Sequence, residues 1–463
     1  MKDVPLFQKN QELTSQVLDL THEGLGVVKI EDYPFFIEGA LPGERIEFKA
    51  IKIGRKFGYG KLIKILDESP DRVEMKDDKG RLTGTMTLQH LSYPGQLAFK
   101  QRQVQNAFQR IGHFNQVQVN ATLGMDEPWQ YRNKAQIPVQ TIQGQLETGF
   151  YRKNSHQLIP VEDYYIQDPD IDQAILKIRD VLRTLSIPAY NEDDHTGLIR
   201  HIIVKRGHYS GQVMVVLVTN GRDIPQKDQL VAALQQEIPA MVSLMQNINT
   251  QKTNRILGQE THCLWGQDFY QDQMLGLIFK ISAQSFYQVN TPQAERVYQW
   301  ALDQADLSGD ETVLDAYCGI GTLSLVLAQA AGQVYAMEVV PEAIEMAKQN
   351  AHLNQLDNVH FEAGKAEVIL PQWQAQGIHF DVAVVDPPRK GLDPDFIQTL
   401  INLAPDRIVY VSCNPATLAR DCRHFADAGY QVQTIQPFDL FPQTTHVETC
   451  AVLTKSSTSE DKV

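Results

Sequence analysis

Cysteine is scarce in this chain, with five in 463 residues and no Cys-x-x-Cys pair. That excludes a disulfide scaffold, argues against a zinc knuckle, and fits a reducing cytoplasm, the compartment expected here. Long apolar runs are missing too. The longest, Val213 to Val218, reads as one buried strand, far short of the roughly 18 residues of a membrane span. Met1 to Asn10 shows no apolar core of a secretory signal. There is no internal repeat. Net positive charge is also absent: 42 Lys and Arg face 56 Asp and Glu, a balance of −14. A uniformly basic coat for nucleic acid is thereby excluded.

Local basic patches remain, and fields act over about 10 Å at ordinary salt. Between Phe48 and Leu66 stand Lys49, Lys52, Arg55, Lys56, Lys61 and Lys64, with no acidic residue among them. A second cluster is Arg132, Lys134, Arg152, Lys153 and His156. A third is Arg200, His201, Lys205, Arg206 and His208. Each alone reads equally well as a solvated face; three in one acidic chain favour a polyanionic partner.

With 43% hydrophobic and 21% charged residues, the chain can build packed cores, and its length suggests about three domains. The first 66 residues alternate short β-rich runs with turns. Strands are expected at Val17 to Leu20, Gly26 to Ile30, Pro34 to Ile37, Arg45 to Ile53 and Tyr59 to Ile65, the pattern of a small OB-like barrel. Asp67 to Gly84 reads as a polar linker. A helix follows, with Ser92 as N-cap, Gly112 at C′ and an apolar face of Leu97, Val104, Ala107, Phe108 and Ile111. The stretch from Ala121 to Phe279 mixes strands and helices, with a hairpin over Arg200 to Val218 turned near Tyr209 and a helix over Gln226 to Glu237. Glu311 begins a regular β-α-β alternation. Its strands are Thr312 to Ala316, Gln333 to Glu338, Val359 to Glu362, Val382 to Val385 and Arg407 to Ser412. Its helices include Gly321 to Ala331 and Pro341 to Asn354. This is an α/β, doubly wound, Rossmann-like sheet that binds ligands at the carboxyl ends of its strands. The tail from Lys455 to Val463 is polar and expected to be disordered. The domains are thus 1–68, a barrel; 69–278, a central α+β domain; and 279–463, the Rossmann-like domain.

Chemistry concentrates at those strand ends. Asp315-Ala316-Tyr317-Cys318-Gly319-Ile320-Gly321 gives a ligand close backbone approach at a helix start. Glu338, ending the next strand, is placed to bind a ribose. Asp386-Pro387-Pro388-Arg389 sets an acidic residue in a loop fixed by two prolines. Cys413 follows another strand and precedes a helix opened by Asn414-Pro415, a position that lends a thiol thiolate character. Cys318 lies in the glycine loop, Cys422 in a helix, and Cys263 and Cys450 in strand-like runs. In Thr444-Thr445-His446-Val447-Glu448, either Glu448 or His446 could serve as a base.

Taken together, Ser285-Phe286-Tyr287-Gln288-Val289-Asn290, the Asp315 to Gly321 loop, Asp386 to Gly391, Ser412-Cys413-Asn414-Pro415 and His446-Val447-Glu448 resemble the S-adenosylmethionine-dependent RNA uracil-C5 methyltransferases, in particular the ribosomal RNA branch. Leu88 to Tyr93 and Gly149 to Lys153 resemble the same family, and residues 9 to 66 resemble its RNA-binding TRAM barrel. The resemblance implies Cys413 as nucleophile and Glu448, not His446, as general base. It implies Gln288, Tyr317, Gly319, Gly321, Glu338 and Asp386 as cofactor-binding residues. It further implies that the helix after Ser92 packs on the catalytic domain, that the partner is RNA, 23S ribosomal RNA first and transfer RNA second, and that no protein metal site is needed. A monomer is expected. Many relatives hold an iron–sulfur cluster on four cysteines. Here those positions fall near Asp77, Thr83, Met86 and Tyr164, and none supplies a thiolate, so a cluster-free member is expected. Two other classes stay open: an amino-methyltransferase, which would need no cysteine, and a non-catalytic RNA-binding protein, which would need no cofactor.

Overall fold

The computed structural model describes residues 7–455. The tail beyond Lys455 lies outside the described residues, and Lys455 itself ends a strand.

The first sheet contains β1 (Glu12–Gln16), β2 (Asp19–Leu20), β3 (Gly26–Ile30), β4 (Tyr33–Ile37), β5 (Arg45–Ile53) and β6 (Gly58–Asp67), in the order β1-β5-β6-β4-β3-β2. It closes over Phe7, Val28, Phe35, Ile37, Ile46 and Phe48. The expected strand at Val17 to Leu20 is corrected: pairing runs through Glu12–Gln16, which hydrogen-bonds β5, and only Asp19–Leu20 remains of the later segment. A backbone ladder holds β1 at an edge, so its side chains need no apolar pattern. The polar stretch after β6 is no loose linker. Arg72 hydrogen-bonds the buried Glu44 carboxylate and the Gly39 carbonyl, pinning the segment to the barrel, and α1 (Lys79–Thr83) follows. Met86 and Tyr164, two of the positions where a cluster ligand would stand, pack with Tyr131, Val161 and Ile166 in an apolar cluster.

Next, α2 (Tyr93–Arg110) is capped by Ser92, whose hydroxyl accepts from the Gly95 amide. Its buried face is Gln96, Phe99, Lys100, Val104, Ala107 and Phe108. The expected face is therefore rotated; Ile111 is exposed. Val104, Ala107 and Phe108 enter the core of the C-terminal sheet, while Gln96 and Lys100 meet buried polar partners described below.

The central sheet is built from β7 (Lys134–Ile142), β8 (Gln145–Tyr151), β9 (Leu158–Pro160), β10 (Ile199–Arg206), β11 (Val213–Thr219), β12 (Met241–Ile248) and β13 (Glu260–Gly266). Its order is β13-β12-β11-β10-β7-β8-β9, with α3 (Pro169–Thr184) and α4 (Lys227–Glu237) packed on it. The β10–β11 hairpin is the expected one, and only β11 and β12 run parallel, joined through α4. A separate hairpin, β14 (Phe269–Met274) and β15 (Leu277–Ser282), packs into the C-terminal core.

After α5 (Thr291–Ala305) comes the doubly wound sheet: β16 (Thr312–Ala316), α6 (Thr322–Ala328), β17 (Gln333–Glu338), α7 (Pro341–Leu353), β18 (Val359–Ala363), α8 (Ala366–Ala375), β19 (Val382–Val385), α9 (Pro394–Leu403), β20 (Arg407–Ser412), α10 (Pro415–Asp427), β21 (Tyr430–Phe438) and β22 (Glu448–Lys455). The order is β18-β17-β16-β19-β20-β22-β21, with β22 antiparallel to both neighbours. The inner parallel strands β16, β19 and β20 are mostly apolar because helices cover both faces. The expected helix to Ala331 stops at Ala328, where Gln329 and Ala330 turn back on carbonyls three residues earlier. Among the described residues no helix is long and apolar enough to cross a membrane.

Candidate active site

Five strand ends converge on one edge of this sheet. β16, β17, β19 and β20 present their carboxyl ends there, and antiparallel β22 presents its amino end. The parallel registers align Ala316 with both Met337 and Val385. Tyr317, Glu338 and Asp386 are therefore the next residue on three adjacent strands. Ser412 lies opposite Thr449, so Cys413 and Glu448 occupy neighbouring positions just beyond. The sequence-expected residues scattered from 317 to 448 are thus gathered by strand register alone.

The loop after β16 is tightly bent. Tyr317 holds φ +76°, a conformation few side chains adopt; its amide and that of Cys318 both donate to the Met337 carbonyl. Gly321, at φ +84°, opens α6, and a Cβ there would press on Ala347 and Phe361. Gly319 has φ +55° with open space where a Cβ would stand, so its backbone faces an unfilled region. Behind the loop, buried Asp315 accepts from Ser324. Burial, with Asp386 and Glu338 nearby, pushes its carboxyl up to about 7. Glu338 accepts the Val339 and Val340 amides on Oε1, while Oε2 takes no hydrogen bond among the described residues.

Gln288 precedes α5 on a segment held from the central sheet. Asn133 donates to the Gln288 carbonyl and to Thr291, and its own amide donates to Val289. Lys205, buried in β10, donates to the carbonyls of Ser282 and Ser285. Asn133, just before β7, and Lys205 of β10 therefore fix this strap; Lys205, read from the sequence as one of a basic cluster, is buried and spent on backbone carbonyls.

Cys413 is half-buried, whereas Cys318, Cys422 and Cys450 are buried. Its thiol is not the low-pKa group expected from its place before α10. Burial, then the Glu448 and Asp386 carboxyls, push it up to about 11, against a smaller opposite effect of Arg389. Asn414 caps the helix with its own side chain. Glu448 is buried and raised well above the usual carboxylate range by burial and by Asp386; burial pushes Asp386 up to about 7. His446 lies at the surface, and partial desolvation, then Arg389, Lys100 and Arg132, hold its imidazole below the usual range.

The segment leading to Glu448 is clamped from four sides. Lys100, buried, pairs with buried Asp439 and donates to the Phe441 carbonyl. Gln96 and Gln443 exchange two hydrogen bonds. Tyr131 donates to the Pro442 carbonyl and Asn290 to that of Leu440. Beside the segment opens a cavity of about 410 Å³ lined by Arg132, Lys134, Arg389, Phe441 and His446, with no carboxylate. Burial and Arg132 push the Lys134 ammonium down to about 8.

The profile of the tRNA (uracil-5-)-methyltransferase family matches residues 92–456. The chain belongs to that family. It is 52% identical over 456 residues to an Enterococcus faecalis protein described as an uncharacterized RNA methyltransferase, covering 98% of this chain and all of the relative. A Lactiplantibacillus plantarum protein of the same description is 52% identical over 446 residues, covering 96% of this chain and 97% of that one. Among solved structures, the Pyrococcus abyssi tRNA (uracil-54, C5)-methyltransferase, in complex with S-adenosyl-L-homocysteine, superposes with a TM-score of 0.77 at 25% identity, over 95% of this chain and all of that one.

The enzyme is an S-adenosylmethionine-dependent RNA (uracil-5-)-methyltransferase. Its residues fit the cofactor's chemistry. Asp315 and Glu448 are raised by burial and by neighbouring carboxyls, and Asp386 by burial; a cation brought among them would relieve that cost. Oε2 of Glu338 takes no hydrogen bond among the described residues, and the Gly319 backbone stands open.

Proposed function

We propose that this methyltransferase forms 5-methyluridine in 23S ribosomal RNA through a covalent enzyme–uracil adduct, with Cys413 as nucleophile and Glu448 as base. The observation that carries the covalent reading is the placement of one accessible thiol, Cys413, one register step from a buried carboxyl, Glu448, at the ligand edge of the sheet.

Uracil C5 is a weak nucleophile, and covalent catalysis divides the difficulty. Cys413 gives its thiol proton to solvent and adds as the thiolate to C6, which places electron density on C5. S-adenosylmethionine supplies an electrophilic methyl on a sulfonium sulfur. Glu448 then takes the remaining C5 proton, the C6–S bond breaks, and Cys413 leaves with that bond's electron pair. Glu448 is buried, without a hydrogen-bond partner among the described residues and raised well above its usual range, the condition of a carboxylate that accepts a proton readily. Gln288, Tyr317, Gly319, Gly321, Glu338 and Asp386 hold the cofactor. Arg389 stands near enough to affect Cys413, Glu448 and His446 alike and orients the base or its phosphate. A base stacked in RNA cannot reach the half-buried thiol, so the target uridine is flipped out. The basic cavity beside the Glu448 segment receives the flanking nucleotides, and the barrel, read as a TRAM domain, holds RNA further away.

Ribosomal RNA as the substrate rests on the motif resemblance. A second reading, transfer RNA, is favoured by the whole-length likeness to the archaeal transfer RNA enzyme. Methyl transfer from labelled S-adenosylmethionine to 23S RNA fragments and to transfer RNA transcripts, with mapping of 5-methyluridine in a deletion strain, separates them. Label in transfer RNA alone would replace the first reading by the second.

A further inference from the structure

The outer face of the barrel carries an aromatic row that the fold does not need. Phe36, Tyr59 and Lys52 lie side by side across β4, β6 and β5 in the strand registers. They point outward: Phe35 and Ile37, which flank Phe36, are buried, and a Cβ on Gly58 or Gly60, which flank Tyr59, would strike the rings of Phe35 and Phe48 inside. Phe57 completes the group from the β5–β6 turn. Its ring centroid is 5.5 Å from that of Phe36 and 5.8 Å from that of Tyr59, yet it stays 43% exposed. Lys52 lies over Tyr59 at 5.7 Å. Among the described residues Lys52, Arg55, Lys56, Lys61 and Lys64 form no ion pair, whereas Lys49 is taken by Glu12. The acidic residues nearest the group are Glu31 and Asp32 at the β3–β4 turn, Glu38, which pairs with Lys153, and Glu47, opposite Lys64 in the β5–β6 register.

From this juxtaposition of Phe36, Phe57 and Tyr59 with unpaired cations, we propose that the barrel face is a stacking platform for an unpaired base of the substrate RNA, outside the methylated loop. Phe57, the exposed ring, offers a π-face that any base can stack on, braced by Phe36 and Tyr59, and the cations follow the phosphates on either side. The same barrel abuts the segment that precedes Glu448 through its β2–β3 turn, since a Cβ on Gly24 would lie 3.1 Å from Thr445, whereas Phe57 stands at the other end of β4, level with the β3–β4 turn. The proposal rests on RNA as substrate and not on which RNA.

The test uses the full chain and a labelled single-stranded RNA oligonucleotide, compared with the same sequence as a duplex. Phe57→Ala and Phe57→Leu should weaken single-strand binding by about tenfold, the loss of roughly one stacked base, and leave duplex binding unchanged. Leucine keeps apolar area without a π-face, so it should not rescue; Phe57→Trp should, and its added emission should be quenched by the bound strand. The slope of log affinity against log salt should stay as in the parent, because stacking releases no counterions. Methyl transfer at saturating RNA should also stay as in the parent. Equal losses on single strand and duplex, full binding by Phe57→Leu, unquenched Phe57→Trp, or a chain dimer that Phe57→Ala dissolves would each overturn the platform. Absence of methyl transfer from the parent enzyme itself would instead overturn the catalytic reading.

Discussion

At the scale of single residues, the decisive group is a thiol in the wrong protonation state for attack. With Cys413 pushed up to about 11, roughly one molecule in 10⁴ carries the thiolate at pH 7 in the free enzyme. Alkylation of the Cys413 peptide by iodoacetamide, followed by mass spectrometry so that exposed Cys263 does not interfere, should therefore rise about tenfold per pH unit from 7 to 10. Glu448→Gln removes a negative neighbour and should move that rise to lower pH. A plateau near pH 8 would show that the helix end governs the thiol after all. The two proposed catalytic residues should also fail at different steps. Cys413→Ala should bind RNA and cofactor yet form no adduct. Glu448→Gln should add and accept the methyl, then stall, because only elimination needs the C5 proton removed. A base of this kind is worth about 10² to 10⁴ in rate, so a covalent band carrying the methyl label should persist on a denaturing gel and vanish in the double variant with Cys413→Ala. If His446→Gln accumulates that band while Glu448→Gln turns over normally, the base has been misassigned.

At the scale of elements, the segment from Asp439 to Val447 decides where Glu448 sits, and the buried Lys100–Asp439 pair is its anchor. Removing one member of such a pair costs about 3–5 kcal/mol, whereas replacing both by apolar residues is often neutral. Lys100→Met should therefore lower the melting temperature, and Lys100→Met with Asp439→Leu should recover much of it. If the pair also positions the base, the double variant should remain slow in elimination and accumulate the labelled adduct despite its recovered stability. Full activity would reduce the pair to a structural role. None of this clamp was legible in the sequence: Lys100 and Asp439 are 339 positions apart, and a lysine inside an amphipathic helix reads as a solvated residue until its partner is known. The strand ends were legible for the opposite reason. β16, β19 and β20 are short apolar runs closed by Gly, Pro or Asn, a local pattern that needs no distant partner. Edge strand β1 was missed because backbone pairing alone holds it, and the order of the central sheet because it depends on packing between segments far apart in the chain.

At the scale of the whole molecule, an acidic chain must hold a polyanion, and the proposed solution is segregation. The balance of −14 is offset locally by the cavity cations Arg132, Lys134 and Arg389 and by the barrel cations on β5, β6 and their turn. Affinity should then be steeply salt-dependent even though the net charge is negative, since each phosphate that a cation neutralises releases counterions and contributes about 0.9 to the log–log slope in duplex regions. Replacing Lys52, Arg55 and Lys56 together by alanine should flatten that slope by up to about 0.9 for each phosphate no longer neutralised. Catalysis on saturating RNA should be unaffected, because these residues lie on the barrel and not among the strand ends that carry Cys413 and Glu448. The same triple replacement should leave the melting temperature nearly unchanged, as none of the three is paired among the described residues. An unchanged salt slope would mean that these cations face only water, and that RNA is held by the cavity alone.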